Sequence, residues 1–314
     1  MNFRQVIRFT PHYHSRVWGG RRMETLLGAT LPDATTPFGE AWSVSDRPEA
    51  QSTTADGVTL HELWTNHREA VFGKALLNSS SPSFPLLMKI LDACDDLSIQ
   101  VHPPADKAEA LKGEPKTEMW FIAHAEPGAK IYAGLKPGVT REDFEASLQN
   151  GTVADVVHVI EAHTGDCLFI PSGRVHAIGA GLLIYEIQQN SDTTYRVFDW
   201  NRVGLDGKPR ALHVQESLQS IDFNDFAPQM QQVAADGTLV KCDDFDVRLR
   251  DGSNQAGETG ECVTLAAVSG EISVGGETLK AGDFALLPAC LDAKSRQVKP
   301  ASAASRWLEI RIPA

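Results

Sequence analysis

One short pattern occurs twice in the chain and constrains its fold more than any other feature. Residues 165–171 read GDCLFIP and residues 282–288 read GDFALLP, so each copy has a turn glycine, an apolar run and a stopping proline. A Gly-Gly pair at residues 275–276 separates two strand-like runs just before the second copy, which is typical of a β-hairpin. The repetition predicts a mostly β chain built from two related halves.

A polar, turn-rich stretch separates the two halves. It covers residues 221–240 and has no strong periodicity, so we predict a linker there. The chain then divides into a larger domain over residues 1–220, with N-terminal strands and a few short helices, and a C-terminal β domain over residues 241–314. One helix should begin after Thr59 and run over about residues 60–75, because Thr59 and Glu62 have the spacing of a capping box.

The most informative strand covers residues 97–102, which read LSIQVH. Apolar and polar residues alternate, so Ser98, Gln100 and His102 point to the same side of the strand. Two prolines follow immediately and end the strand. An amide and an imidazole can therefore converge on one point.

Two further candidate ligands, Glu118 and His176, lie downstream. We predict that they join Gln100 and His102 in one metal site. Two imidazoles, a carboxylate and an amide oxygen suit Zn²⁺, Fe²⁺, Mn²⁺ or Co²⁺. The second copy of the repeat has no histidine in residues 289–293, so the C-terminal half is predicted to be structural.

Metal binding is not the default role of a histidine or a glutamate. A lone histidine on a strand is more often a hydrogen-bonded core residue than a ligand, and we interpret His158, His163 and the histidines outside the metal set in that way. Glu118 precedes Met-Trp-Phe and is also compatible with a solvated acid at the end of a strand. His102 and His176 differ because each stands in a recognisable motif.

The composition argues against some kinds of partner and indicates a cellular compartment. The formal net charge of −12 at pH 7 argues against nucleic acid or an anionic membrane surface, although it is compatible with a small anionic substrate. The five cysteines are scattered and form no CxxC pair, a usage typical of reduced thiols in a cytosol. The N-terminus lacks the apolar core of a signal peptide, and no segment is long enough to span a bilayer. We therefore expect a cytoplasmic protein.

The spacing around His176 resembles a signature of the cupin barrels. Residues 165–176 fit the second cupin signature, while residues 100–102 together with Glu118 fit the first. The resemblance implies double-stranded β-helix (cupin) barrels, a metal-bearing one followed by a degenerate C-terminal one.

Five ordered blocks between about Arg16 and Arg202 resemble, more narrowly, the type I phosphomannose isomerases, also called mannose-6-phosphate isomerases. The blocks lie in residues 84–93, 97–103, 116–120, 171–177 and 188–197. The resemblance implies a zinc-dependent enzyme, with one Zn²⁺ per chain, that interconverts mannose 6-phosphate and fructose 6-phosphate. The short interval between Glu118 and His176 resembles the short bacterial members. At residues 45–48 the chain departs from many members, which have a histidine before the proline.

Carried over position by position, the resemblance also implies roles for particular residues. The implied metal ligands are Gln100, His102, Glu118 and His176. Arg196 matches the family's catalytic arginine, whereas Lys116 and Glu186 match polar positions of its pocket. Either Arg202 or Lys116 could supply a second cation for a phosphate dianion.

The chemistry of an aldose–ketose isomerase suits these residue types. A proton moves between C1 and C2 through a cis-enediol, so charge develops on both oxygens, where a divalent metal is an effective Lewis acid. A base must take the proton, and the sequence leaves both Glu186 and a metal-bound hydroxide as candidates. Arg196 could stabilise the enediolate or hold the phosphate, although Asp192 and Asp199 nearby also allow a plain salt bridge.

Two other functions are compatible with such a barrel. A non-catalytic sugar-phosphate-binding cupin, acting as a sensor or partner protein, would bind its ligand without turnover. An Fe²⁺ dioxygenase could use the same metal site, but it has no use for Arg196 or for the Asn-Ser-Asp block at residues 190–192. The isomerase is the preferred hypothesis, and the sequence makes no prediction about the oligomeric state.

Overall fold

The computed structural model describes residues 3–313, and this part of the chain is mostly β, which confirms the predicted fold class. In chain order, its strands are β1 (His12–Gly20), β2 (Phe38–Val44), β3 (Asp46–Arg47), β4 (Ala50–Gln51), β5 (Leu86–Ala93), β6 (Ile99–Val101), β7 (Glu118–Ala125), β8 (Lys130–Leu135), β9 (Val157–Glu161), β10 (Cys167–Ile170), β11 (His176–Ile178), β12 (Leu182–Gln189), β13 (Tyr195–Phe198), β14 (Thr238–Lys241), β15 (Asp246–Arg250), β16 (Asn254–Gln255), β17 (Val263–Ser269), β18 (Glu271–Val274), β19 (Glu277–Lys280), β20 (Phe284–Leu287), β21 (Gln297–Pro300) and β22 (Arg306–Arg311). Its α-helices are α1 (Arg22–Leu27), α2 (Leu60–Asn66), α3 (Arg68–Phe72), α4 (Ala105–Ala108), α5 (Arg141–Asn150) and α6 (Val214–Ser220). Two 3-10 turns lie at Lys74–Leu76 and Val153–Asp155.

Each half of the chain contains two larger antiparallel sheets, and β3 and β4 form a further two-stranded sheet in the first half. In the first half the strand orders are β1-β2-β5-β12-β7-β10 and β13-β6-β11-β8-β9. In the second half they are β14-β15-β22-β17-β20 and β16-β21-β18-β19. The two copies of the sequence repeat form β10 and β20, and each lies at the edge of the larger sheet of its half. The repetition in sequence is therefore also a repetition in structure.

One large hydrophobic cluster contains residues of both halves. Tyr185 on β12 donates its hydroxyl to the carbonyl of Ala267 at 2.8 Å and accepts the backbone N–H of Gly282 at 2.7 Å. Near the N-terminus, Ile7 exchanges two backbone hydrogen bonds with Leu286 on β20. Because hydrophobic packing connects the two halves, the structure does not divide them into separate units. The domain boundary at the predicted linker therefore stays a prediction.

The first long helix begins where the sequence predicts. The side-chain oxygen of Thr59 accepts the backbone N–H of Glu62 at 3.0 Å and so caps α2. The helix predicted over about residues 60–75 is nevertheless two helices, because His67 leaves the helical conformation between α2 and α3 with φ of −131°. No helix within the described residues is both long and apolar enough to cross a membrane.

Arg296 is an arginine in the core of the second half, with an exposure of 0%. Its guanidinium donates hydrogen bonds to the backbone carbonyls of Leu291, Ala256, Glu261 and Pro288, at distances from 2.5 to 3.1 Å. Burial lowers its pKa, since the charged form is removed from water. These hydrogen bonds therefore connect the loop between β20 and β21, which contains Arg296, to Ala256 and Glu261 elsewhere in the second half.

Arg296→Met is expected to lower the free energy of unfolding by about 3–5 kcal/mol, because four buried carbonyls lose their donor. Lys294→Met, an exposed change in the same loop, is the matched control and should stay within about 0.5 kcal/mol of the wild type. Urea denaturation measures both values. A loss below about 1 kcal/mol for Arg296→Met would show that solvent or neighbouring groups replace its hydrogen bonds.

Candidate metal centre and active-site cavity

Strand pairing in the first half brings the predicted metal ligands together. Gln100 on β6 pairs directly with His176 on β11, and His102 follows β6. Glu118 begins β7, which belongs to the other sheet of this half. Since Gln100 and His102 are two residues apart on an extended chain, both side chains point to the same side.

His102, Glu118 and His176 form a compact, buried group. Their ligand-type atoms all lie within 4.8 Å of one another, and each residue has an exposure of 1% or less. His102 Nε2 lies 3.6 Å from Glu118 Oε2, and His176 Nε2 lies 3.5 Å from Glu118 Oε1. Ligand atoms that each lie about 2.0–2.2 Å from one ion are separated from each other by distances similar to the two just given. The spacings therefore suit a shared divalent cation.

Hydrogen bonds fix both imidazoles with Nε2 towards the carboxylate. His102 Nδ1 lies 2.8 Å from the carbonyl of Thr193, and His176 Nδ1 lies 2.9 Å from the carbonyl of Arg174. A carbonyl only accepts, so Nδ1 carries the proton in each ring and Nε2 keeps its lone pair. Burial and the Lys116 charge lower the pKa of His102 to about 3, and burial also lowers the pKa of His176. Both rings are therefore neutral, as metal ligands must be.

The Glu118 carboxylate is a buried negative charge. Burial alone would raise its pKa, but the Lys116 ammonium outweighs burial and holds the pKa well below its usual range. Lys116 Nζ lies 3.0 Å from Oε2, whereas Oε1 has no hydrogen-bond donor within residues 3–313. Buried lone pairs without a hydrogen-bond donor require an explanation, and a bound cation supplies one. The donor set therefore fits a metal.

Gln100 borders this group with its amide nitrogen. Gln100 Nε2 lies 3.2 Å from His176 Nε2, whereas its Oε1 lies 3.4 Å from the hydroxyl of Ser98. The amide thus donates to the lone pair that a metal would take. A half-turn of the amide exchanges its oxygen and nitrogen, so ligation by Gln100 requires only that rotation.

A cavity of about 590 Å³ opens beside the metal group. Its wall includes several residues of the predicted site, namely Gln100, Lys116, His176, Glu186 and Arg196. Other charged or aromatic residues on the wall are Arg16, Trp18, Glu40, Lys89, Trp120, Asp192, Asp206 and Arg210. The cavity therefore joins the candidate metal centre to groups that could bind and convert a substrate.

The structure does not place Arg202 on the cavity wall, where the resemblance suggested a second cation. Its guanidinium pairs with Asp95 at 3.0 Å and with Asp199 at 3.1 Å. The Asp199 carboxylate also accepts a hydrogen bond from Arg210 Nε at 2.7 Å, and it is Arg210 that lines the cavity. Two arginines share one buried carboxylate, and nothing in the sequence indicates which of them faces the cavity.

Arg196, on β13, lies on the cavity wall with its charge available. One Nη donates to the carbonyl of Ala211 at 2.9 Å, while its buried Nε has no partner in the described part of the chain. Neither Asp192 nor Asp199 forms an ion pair with Arg196 within residues 3–313, so the plain salt bridge is absent there. Burial and the nearby Arg210 lower its pKa.

A row of side chains crosses the larger sheet of the first half on the cavity side. Trp42 on β2 pairs with Lys89 on β5, and Lys89 pairs with Glu186 on β12. Glu186 pairs in turn with Trp120 on β7, whose Nε1 donates to Glu186 Oε1 at 3.1 Å. Lys89 Nζ lies 3.6 Å from Glu186 Oε2. Burial raises the pKa of Glu186, which suits a carboxyl that exchanges protons nearer to neutral pH.

Sequence reasoning does not select Lys89, because it stands in an apolar run that reads as a buried strand. The run forms β5, and the exposure of Lys89 is only 3%. A lysine inside a buried strand is nevertheless a usable signal, since lysine is almost never buried without a partner.

Known proteins resemble this chain over most of its length. The family model described as phosphomannose isomerase type I, catalytic domain, matches residues 6–117. A mannose-6-phosphate isomerase from Streptococcus mutans is 37% identical over 293 residues, which cover 88% of this chain and 90% of that protein. Mannose-6-phosphate isomerase ManA from Bacillus subtilis is 35% identical over 299 residues, which cover 89% of this chain and 92% of that protein.

Solved structures agree with these sequence matches. The crystal structure of the mannose 6-phosphate isomerase from Bacillus subtilis has a TM-score of 0.84 and 28% identity, and the match covers 98% of this chain and 100% of that one. A mutant phosphomannose isomerase from Salmonella typhimurium shares the fold at a TM-score of 0.76 and 18% identity, over 99% of this chain and 100% of that one.

The predicted cupin fold and the predicted family are therefore confirmed. The family is metal-dependent, in keeping with the His-Glu-His group between the sheets of the first half. With 37% identity to a named member across 88% of its length, the chain belongs to the type I phosphomannose isomerases.

Proposed function

We propose that the chain is a metal-dependent aldose–ketose isomerase that interconverts mannose 6-phosphate and fructose 6-phosphate through a cis-enediol. The observation that carries this proposal is the identity of 35–37% with proteins named mannose-6-phosphate isomerase over 88–89% of the chain. The buried His-Glu-His group beside a cavity lined by several cationic side chains supports the same function.

His102, Glu118 and His176 would hold the metal, with Gln100 as a fourth ligand once its amide has turned. We propose one Zn²⁺ per chain, because two imidazoles and a carboxylate are a common zinc set that leaves a position open. The bound ion supplies a Lewis acid for the charge that develops on the C1 and C2 oxygens. Lys116, 3.0 Å from Glu118 and on the cavity wall, is proposed to turn to the substrate when the metal takes its place.

Glu186 is the proposed general base. It would take the proton from C2 of the open-chain aldose and return it at C1. The hydrogen bond from Trp120 holds Oε1, so Oε2 is the oxygen left to accept the proton. Lys89 uses its Nζ in no hydrogen bond within residues 3–313 and is therefore placed to donate to a substrate oxygen.

Arg196 and Arg210 are proposed to hold the phosphate. Both line the cavity, and Arg196 has no carboxylate partner in the described part of the chain. Arg210 shares Asp199 with Arg202, and Arg202 also pairs with Asp95, so Arg196 is left as a positive charge without a carboxylate partner in the described part of the chain. Such a charge suits a phosphate dianion, to which guanidinium groups donate two hydrogen bonds at once.

A coupled isomerase assay tests the function directly. Protein stripped with EDTA should be inactive, and protein reloaded with zinc should convert mannose 6-phosphate to fructose 6-phosphate but leave glucose 6-phosphate largely unchanged. Reloading with Fe²⁺, Mn²⁺ or Co²⁺ in parallel ranks the metals. Binding of mannose 6-phosphate by metal-replete protein without turnover would instead identify a sugar-phosphate-binding protein.

A further inference from the structure

Lys89 presents an almost buried ammonium to the cavity without a hydrogen bond of its own in the described part of the chain. Its side chain is 4% exposed. Three carboxylates face its Nζ at ion-pair distances, Glu186 at 3.6 Å, Asp192 at 3.9 Å and Glu40 at 4.0 Å. The Lys89 ammonium is therefore attracted by three carboxylates at similar distances and forms a direct hydrogen bond with none of them.

The indole ring of Trp42 also contacts the Lys89 ammonium. Lys89 Nζ lies 4.6 Å from the centroid of the Trp42 ring, within the range of a cation–π contact. Trp42 is 1% exposed, and its Nε1 donates to Glu40 Oε2 at 2.6 Å. The orientation of the ring below Lys89 is therefore set by Glu40.

Glu40 is itself held firmly. It lies two residues before Trp42 on β2, so both side chains point to the cavity side. Arg16 donates to its two oxygens, from Nε at 2.9 Å and from Nη2 at 3.2 Å. Burial alone would raise the pKa of Glu40, but Lys89 and Arg16 outweigh burial and lower the pKa to about 2. The carboxylate is charged at every pH at which the enzyme would work.

We propose that Glu40 is a positioning residue for Lys89, which it holds, together with Trp42, away from direct contact with Glu186. This inference rests on the proposed function, in which Glu186 is the base. Without the charge of Glu40, the ammonium is expected to relax into a direct, charge-assisted hydrogen bond with Glu186. That bond would make Glu186 a weaker base and would withdraw the lysine N–H groups from the substrate.

Glu40→Gln tests the proposal, because an amide of the same shape still accepts the Trp42 N–H but carries no charge. We expect kcat for mannose 6-phosphate to fall roughly 10- to 100-fold, with KM within about twofold of the wild type. Zinc content should be unchanged. Glu62→Gln on α2, an exposed carboxylate-to-amide change, is the matched control and should alter none of these values.

A double-mutant cycle separates action through Lys89 from a general structural effect. In a Lys89→Met background, Glu40→Gln should change kcat by less than about twofold, since the group through which it acts is gone. Trp42→Phe keeps a ring below Lys89 but removes the N–H, so it should lower kcat in the same direction. It replaces Glu40→Gln as the test if that variant does not fold.

Three results would overturn the inference while the wild type is active. They are an unchanged kcat in Glu40→Gln, a raised KM with unchanged kcat, and full additivity of Glu40→Gln with Lys89→Met. The second result would make Glu40 a substrate-binding residue instead. A wild-type protein without turnover would overturn the proposed function, and this inference would fall with it.

Discussion

Replacement of His176 by alanine is expected to remove the metal and almost all isomerase activity. The imidazole is buried, its Nε2 faces Glu118 at 3.5 Å, and no fourth His, Cys, Asp or Glu of residues 3–313 joins the group. His102, Glu118 and the neutral amide of Gln100 would bind a divalent ion weakly. Since a Lewis acid supplies several kcal/mol of transition-state stabilisation, kcat/KM should fall by roughly 1,000-fold. Metal analysis and the coupled assay measure the two effects.

The matched control is His163→Ala. The His163 side chain is 67% exposed and lies beside acidic residues on the surface, so its loss should change neither zinc content nor rate. If His176→Ala retained full metal and full rate, the metal centre would have to lie elsewhere, and the roles proposed for His102 and Glu118 would be withdrawn.

Glu186→Gln is expected to lower kcat by about 10²- to 10⁴-fold, the usual contribution of a general base. Glutamine keeps the shape of the side chain and an oxygen for the Trp120 N–H, but it cannot take a proton. Zinc should remain bound, because Glu186 is not one of the proposed ligands. The measurement is therefore a rate determined on protein whose metal content equals that of the wild type.

The pH profile gives this variant a second readout. A base works only when it is unprotonated, so the rate falls as the pH drops through its pKa. Burial raises the pKa of Glu186, which places this acid limb above the ordinary range of a glutamate. In Glu186→Gln, the residual rate should no longer show this acid limb. Glu161→Gln, an exposed change on β9, is the control and should keep both the wild-type rate and the wild-type pH profile. An unchanged rate in Glu186→Gln would mean that another group takes the proton.

Much of the metal site could be predicted because its signals are local. Alternation along a short strand places Gln100 and His102 on one side, and a glycine–proline spacing identifies His176. The orientation of the Gln100 amide could not be predicted, since it depends on a hydrogen bond to His176 across two strands. In the same way, the two related halves follow from a repeat, but their shared core follows from contacts such as that of Tyr185 with Ala267.

The groups that sequence reasoning missed depend on neighbours far away along the chain. Lys89 stands in a run that reads as a buried apolar strand and Glu40 in an alternating strand, and only the pairing of β2, β5 and β12 brings them to Glu186. Arg202 and Arg210 are alike in type and lie close together in sequence. Their different positions are decided by how they share Asp199, which is a property of the folded chain.

Strand β12 has two faces that serve different parts of the molecule. Glu186 points into the cavity, whereas Leu183, Tyr185 and Ile187 belong to the core that also contains Val247, Phe284 and Leu308 of the second half. The second half thus packs behind the strand that carries the proposed base. A substitution that loosens the packing behind β12 could misplace Glu186 without altering any residue on the cavity wall, so inactivating changes need not cluster around the candidate metal centre.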